Sequence, residues 1–309
     1  MHKQWYSALA LVVVLVMLAG CGTPELAAPA GQSQGGEAAA PAEGAAAEAQ
    51  PAGLKEIPRN RTLIMAGLGG EQPGGFTDME LFNPYSPGLS RSGFTQACTE
   101  GLFYYNMLGD NFIPWMGESF EFNDDFTEVV VKLRQGVEWS DGTPFTAKDV
   151  AFSLNLLLQH PDLGYAGEII STVKSAEAID DLNVKIALTT PNPRFVFDKL
   201  TMHADLGVPL VPAHVFEGQD PATFTNYDAE KGWPLCTGPY KLVYSDVQRK
   251  IWDLREDWWG AKTGFHALPK VERLVFLPGM DENSMVQLIV NNDIDLAFSF
   301  TPTNMELAK

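Results

Sequence analysis

Residues 129–158 read VVVKLRQGVEWSDGTPFTAKDVAFSLNLLL, and every local signal in this stretch points the same way. Val129, Val131 and Leu133 alternate with Val130, Lys132 and Arg134 in a β-branched run, which predicts a strand with at least one buried face. Gly136 ends it. The Asp141-Gly142 pair then favours a tight turn, because glycine accepts positive φ and an aspartate side chain can bond the neighbouring backbone. Thr143-Pro144 adds a second turn signal. Thr146 stands where a helix N-cap belongs, and Asp149 three residues later completes a capping-box variant whose acid also suits the positive end of the helix. Val150, Leu154, Leu157 and Leu158 recur at helical spacing beyond it. The stretch is a strand-turn-helix unit, and nothing in it is chemistry.

Outward from this unit the chain is acidic, with a formal charge of −18 over 309 residues. That balance excludes a nucleic-acid surface, which needs clustered Lys and Arg. The length suffices for one large domain or two modest ones, domains running to roughly 50–250 residues. At the N-terminus, His2 and Lys3 precede an apolar run, Ala8 to Leu18, that ends in Leu18-Ala19-Gly20-Cys21. The run is short against the roughly 20 residues a spanning helix needs, so residues 1–20 read as a signal peptide with a lipobox. Bacterial lipoproteins have N-termini of this kind, which makes Cys21 the expected lipidation site. From Cys21 to Ile57 the sequence is almost entirely Ala, Gly, Pro, Glu and Gln, the composition of a disordered tether. Folded sequence is expected over 58–309. Setting Cys21 aside leaves Cys98 and Cys236 in an oxidising compartment, either bridged or as two buried thiols.

Thr62 to Ala66 reads as a strand, and GLGGEQPGG over 67–75 follows it. No Lys-Ser or Lys-Thr follows these glycines, and Gln72 stands where a dinucleotide fingerprint starting at Gly67 needs glycine, so neither phosphate loop is present. Phe120 to Phe126 pairs with the strand at Val129 through an Asn123-Asp124-Asp125 turn, and the segment from Ile169 to Ile179 pairs with Val184–Leu188. Phe195 to Leu200 reads as a short helix. Asp281 to Val290 carries Met285, Leu288 and Ile289 on one helix face, and Ile294, Leu296, Phe298 and Phe300 alternate as in a strand.

Several segments together resemble a known family. LRQGVEWSDGTPFTAKDV, the segment QACTEGLFYY over 96–105, Ile113-Pro114-Trp115-Met116, Leu210–Glu217, Thr237-Gly238-Pro239-Tyr240 and Trp258-Trp259-Gly260 are similar to motifs of the family 5 extracytoplasmic solute-binding proteins of ABC transporters, in the family's order. Departures are minor: Cys236 stands where glycine is usual, Ala213 where lysine is, and Trp258 where tyrosine is. The resemblance implies an α/β fold, the first lobe of a type 2 periplasmic-binding-protein-like architecture with a mixed β-sheet. Family members are considerably longer, so the second lobe is expected to be largely absent and the chain to be a fragment.

The function so implied is a lipid-anchored importer component, outside the cytoplasm, that captures oligopeptides by cleft closure and delivers them to the membrane permease. An oligosaccharide ligand is the alternative, compatible with seven tryptophans and 11% aromatic residues; a lipid-anchored surface interaction module is a more distant one. Expected ligand neighbours are Glu71, Asn83 and Tyr85 in the first loop, Tyr104 and Tyr105, and Trp233 ahead of the Gly-Pro-Tyr element. Trp139 is left to the turn. Nothing suggests catalysis or a cofactor. His2, His160, His203, His214 and His266 are scattered without an HExxH, no GxSxG occurs, and acidic pairs such as Asp180-Asp181 sit in turn signals. Asn60-Arg61-Thr62 matches a glycosylation sequon, by chance in a chain with a bacterial lipobox.

Overall fold

The computed structural model describes residues 53–67, 74–87, 93–203, 207–297 and 301–307. All lie in the second of two units, Ala49–Lys309; the first, Met1–Glu48, falls outside the described residues, and with it the signal peptide, Cys21 and most of the expected tether. A 3-10 turn at Arg59–Arg61 leads into β1 (Thr62–Ala66), and a π-helical turn at Phe94–Cys98 precedes β2 (Phe103–Asn106), β3 (Asn111–Pro114), β4 (Gly117–Phe122) and β5 (Glu128–Leu133). Then come α1 (Ala147–Gln159), α2 (Ala166–Thr172), β6 (Val173–Ala178), β7 (Asn183–Leu188), α3 (Phe195–Leu200), β8 (Thr201–Met202) and α4 (Ala213–Phe216). The chain continues through β9 (Tyr240–Ser245), β10 (Lys250–Leu254), α5 (Trp259–Lys262), β11 (Arg273–Leu277), α6 (Glu282–Val290), β12 (Leu296–Ala297) and α7 (Pro302–Leu307).

The strand-turn-helix unit forms as its residues dictate. On β5, Val129, Val131 and Leu133 are fully buried, one face of a strand paired antiparallel to β4 and β7. Gly142 adopts φ +84° and donates to the Trp139 carbonyl at 2.9 Å, while Asp141 Oδ1 accepts from Thr143 N at 2.9 Å. Thr146 Oγ1 accepts from Lys148 N at 3.3 Å, and Asp149 Oδ2 accepts from Thr146 N at 2.8 Å, closing the capping box. Asp149 also does what its spacing does not announce. Its second oxygen accepts from Ala213 N at 2.9 Å, and Ser153 Oγ accepts from Val211 N at 2.9 Å, so the polar residues of the buried helix face grip the segment entering α4. His214 Nε2 meets Asp141 Oδ2 at 2.9 Å, tying α4 to the Asp-Gly turn as well.

Among the described residues three sheets result: β4-β5-β7-β6, β3-β2-β8, and the mixed sheet β12-β1-β11-β10-β9. In the last, β1 lies between two parallel neighbours, β11 and β12, while β10 runs antiparallel to β11 and to β9. The largest core lies under the four-stranded sheet and α1; a second gathers Met65, Phe82, Phe94, Trp252 and Phe276 around the mixed sheet, and Met285 of α6 packs with Ala66 and Ile294 in a third. The architecture is mixed α/β, with parallel and antiparallel pairs combined in the five-stranded sheet.

Three expectations need adjustment. The segment from Ile169 does not begin as a strand: α2 runs to Thr172, because Ala166 and Ile169 are buried at helical spacing, and β6 starts at Val173. Near the C-terminal end, Ile294 is buried but Leu296 is 39% exposed, so the alternation does not place both inward; Phe298 and Phe300 lie outside the described residues. Finally, Ile57 is buried and the Lys55 carbonyl accepts from Arg273 Nη2 at 3.0 Å, so the last residues of the expected tether pack onto the sheet.

Candidate functional site

Open sheets with parallel strands bind ligands at the carboxyl ends of those strands, where the connecting loops converge. Here that edge is formed by the ends of β1, β11 and β12. Gly67, at φ +70°, turns the chain off β1 and donates to the Leu277 carbonyl at 3.4 Å, and Gly74 donates to the Gly279 carbonyl at 3.1 Å. The exits of β1 and β11 thus stay together. Asp281 caps α6 at the same edge, its Oδ1 accepting from Ser284 N at 3.0 Å. Glu71 belongs to the loop leaving β1 and lies outside the described residues.

Asn83 and Tyr85 are not at an open face. Asn83 is fully buried; its amide donates to the Pro221 and Phe224 carbonyls, both at 2.8 Å, and its Oδ1 accepts from Tyr85 N at 3.0 Å. Tyr85 is equally buried, donates from its hydroxyl to the Pro209 carbonyl at 2.8 Å, and sets its ring edge-on to Phe216. Burial pushes its phenol far above the ordinary range. The pair, expected beside ligand, pins the first loop to residues 209–224. The polar capacity of Asn83 is spent within the chain.

The tyrosine pair splits across its strand, since successive side chains of β2 point to opposite faces. Tyr104 packs edge-on to Trp115 with centroids 5.2 Å apart, and burial raises its phenol. Tyr105 turns the other way, against Phe197 at 4.8 Å, and donates its hydroxyl to Asp110 Oδ1; that bond is the largest cause of its raised pKa. Trp233 is half-buried on Phe224, with centroids 5.9 Å apart, and carries the Lys231 ammonium 4.6 Å over its ring. Of the expected residues, then, the structure joins only Asn83 and Tyr85. Tyr104, Tyr105 and Trp233 have separate surroundings.

One cluster escaped sequence reading. Glu100, 8% exposed, accepts from Trp115 Nε1 at 2.8 Å on one oxygen and from Trp259 Nε1 at 2.7 Å on the other. Its own N–H donates to Thr237 Oγ1 at 3.2 Å. Phe265 stacks on Trp259 with centroids 5.2 Å apart and lies under the Arg134 guanidinium, 4.1 Å away. Burial pushes the Glu100 carboxyl up to about 7, against the opposing pull of the indole N–H groups and the Arg255 charge. Close by in sequence, Cys98 and Cys236 form a disulfide, and the Cys236 carbonyl accepts from Arg255 Nη1 at 2.7 Å. Each partner of Glu100 sits in a quoted motif, but their meeting is a product of the fold.

No group of His, Cys, Asp and Glu among the described residues could hold a metal ion, and no described helix is long and apolar enough to cross a membrane.

Comparison with known proteins agrees with the fold. Residues 111–309 match the model of the bacterial extracellular solute-binding proteins, family 5. The glutathione-binding protein GsiB of Pectobacterium atrosepticum is 27% identical over 213 residues, which are 67% of this chain and 38% of that protein. The periplasmic oligopeptide-binding protein of Thermotoga maritima, crystallised with mannohexaose, superposes with a TM-score of 0.67 at 27% identity, covering 82% of this chain and 44% of that one. The oligopeptide-binding protein AppA of Bacillus subtilis, in complex with a nonapeptide, shares the fold at a TM-score of 0.61 and 20% identity, over 80% of this chain and 45% of that one. The chain thus spans less than half the length of these relatives. With the family match extending from β3 onward through most of the fold, the chain belongs to the bacterial extracellular solute-binding proteins of family 5.

Proposed function

We propose that this chain is part of a lipid-anchored, extracytoplasmic solute-binding protein of an ABC importer, which captures oligopeptides by cleft closure and hands them to the membrane permease. Membership of the family carries this reading, and the oligopeptide-binding name of the Thermotoga relative supports the ligand class. The lipobox at Leu18–Cys21 supports the anchor. The edge of β1, β11 and β12 is then one wall of the cleft, with Glu71 in its first loop, while Tyr104, Tyr105 and Trp233 stand as separate candidates for ligand contact. Backbone groups at such an edge suit peptide ligands of varied sequence, since main-chain bonds give affinity while pockets take the side chains.

An oligosaccharide ligand is the second reading, and the mannohexaose complex of the Thermotoga protein favours it. The half-buried Trp233, with a cation on one face, is the side chain on which a sugar ring could stack. Mass spectrometry of the small molecules that co-purify with the protein lacking its first twenty-one residues separates the two. Peptides are the expected finding; a uniform series of hexose masses without peptides overturns the first reading in favour of the second. Trp233→Ala is expected to weaken the recovered ligand about tenfold by titration, the loss of one stacking contact.

A further inference from the structure

Glu100, a buried acid, plays no part in the candidate cleft wall. We propose that Glu100 is a proton-binding site, and that its proton works a latch between the β3–β4 link, which carries Trp115, and α5, which carries Trp259. Ionised, the carboxylate closes the latch by accepting one indole N–H on each oxygen, at 2.8 and 2.7 Å. A proton taken from solvent forms an O–H bond on one of those oxygens, and that oxygen loses most of its capacity as an acceptor. One indole then has no good partner, and the latch is held on one side only.

The geometry makes Glu100 the variable partner. Indole N–H groups donate only and do not titrate, so the number of bonds depends on the acceptor. Donors are in excess around it: Trp258 Nε1 and Arg255 Nη2 are buried without a hydrogen bond, and both groups favour the charged form of the same carboxylate. Burial works in the other direction and is the larger effect. It outweighs them and lifts the titration from the ordinary 4.5 to about 7. Other groups facing the cluster are the Tyr104 ring on Trp115, Arg134 over Phe265, Asp257 paired with Arg255, and His266, whose ring lies 5.8 Å from Trp115 and 6.1 Å from Trp258. An extracellular protein meets a pH that no cytoplasmic buffer holds, so a site titrating there changes state in ordinary surroundings. This inference needs no ligand and does not rest on the importer reading.

The test is nitrogen-edited NMR of the indole N–H groups from about pH 5.5 to 8.5, with Trp115→Phe and Trp259→Phe as assignment variants. Both resonances are expected to shift with one shared midpoint near 7, and neither to shift in Glu100→Gln. Should that variant not fold, carbon-13 labelling of glutamate in the unaltered protein reads the same event as one side-chain carboxyl titrating well above the others. His266→Gln is expected to leave the midpoint in place. Indoles that stay flat over the range, a transition surviving in Glu100→Gln, a transition vanishing in His266→Gln, or glutamate carboxyls that all titrate together, each overturn the proposal.

Discussion

Asn83 shows how a polar residue in a loop can belong wholly to the fold. With three hydrogen bonds inside the chain, its removal strands two carbonyls and an N–H in a dry place, and Asn83→Ala is expected to cost about 2–3 kcal/mol in urea unfolding. A loss of ligand affinity without a loss of stability would return Asn83 to the cleft. Glu100 has a distinct signature in stability. Its carboxyl titrates near 4.5 in the unfolded chain and at about 7 in the folded one, so the native state holds the proton more tightly. The stability this provides is complete below about 4.5 and is lost as the pH rises through about 7. Measured against Glu100→Gln to cancel all other groups, the native protein should lose about 3 kcal/mol between these limits. A native protein that instead gains stability over Glu100→Gln as the pH rises would refute the assignment.

Among the elements, α1 is the one whose start is best defined, and Thr146→Ala should cost about 1 kcal/mol through the lost cap, readable as a lower urea midpoint with unchanged slope. This cap, the β4-β5 and β6-β7 hairpins, α3 and α6 were all legible because each depends on contacts a few residues apart. Turn chemistry and periodicity carry such information directly. The double role of Asp149 was not legible: one oxygen caps its own helix as its position requires, whereas the other accepts from Ala213, 64 residues away. The Glu100 cluster was hidden for the same reason, since Trp115 and Trp259 approach it from separations of 15 and 159 residues. Tyr104 and Tyr105 form a pair in the sequence, yet a strand puts adjacent residues on opposite faces. The family motifs located these residues without saying which of them meet.

For the molecule as a whole, the Cys98–Cys236 bridge is the longest covalent constraint, closing a separation of 138 residues. Replacing both cysteines by serine should lower stability by about 2–5 kcal/mol, and unfolding followed with and without reductant should reproduce the difference; equal curves would mean the bridge is absent in solution. The position of β1 has a consequence in time. The β4-β5-β7-β6 sheet is built from neighbours in sequence and can close while the polypeptide is still emerging. β1 cannot, because its partners are Arg273–Leu277 on one side and Leu296–Ala297 on the other. The first of the described strands is therefore unpaired until residues 273–297 have been made, and until then it travels as a single, largely apolar ribbon. That delay keeps Thr62–Ala66 extended and without sheet partners until nearly all of the mixed sheet has been made.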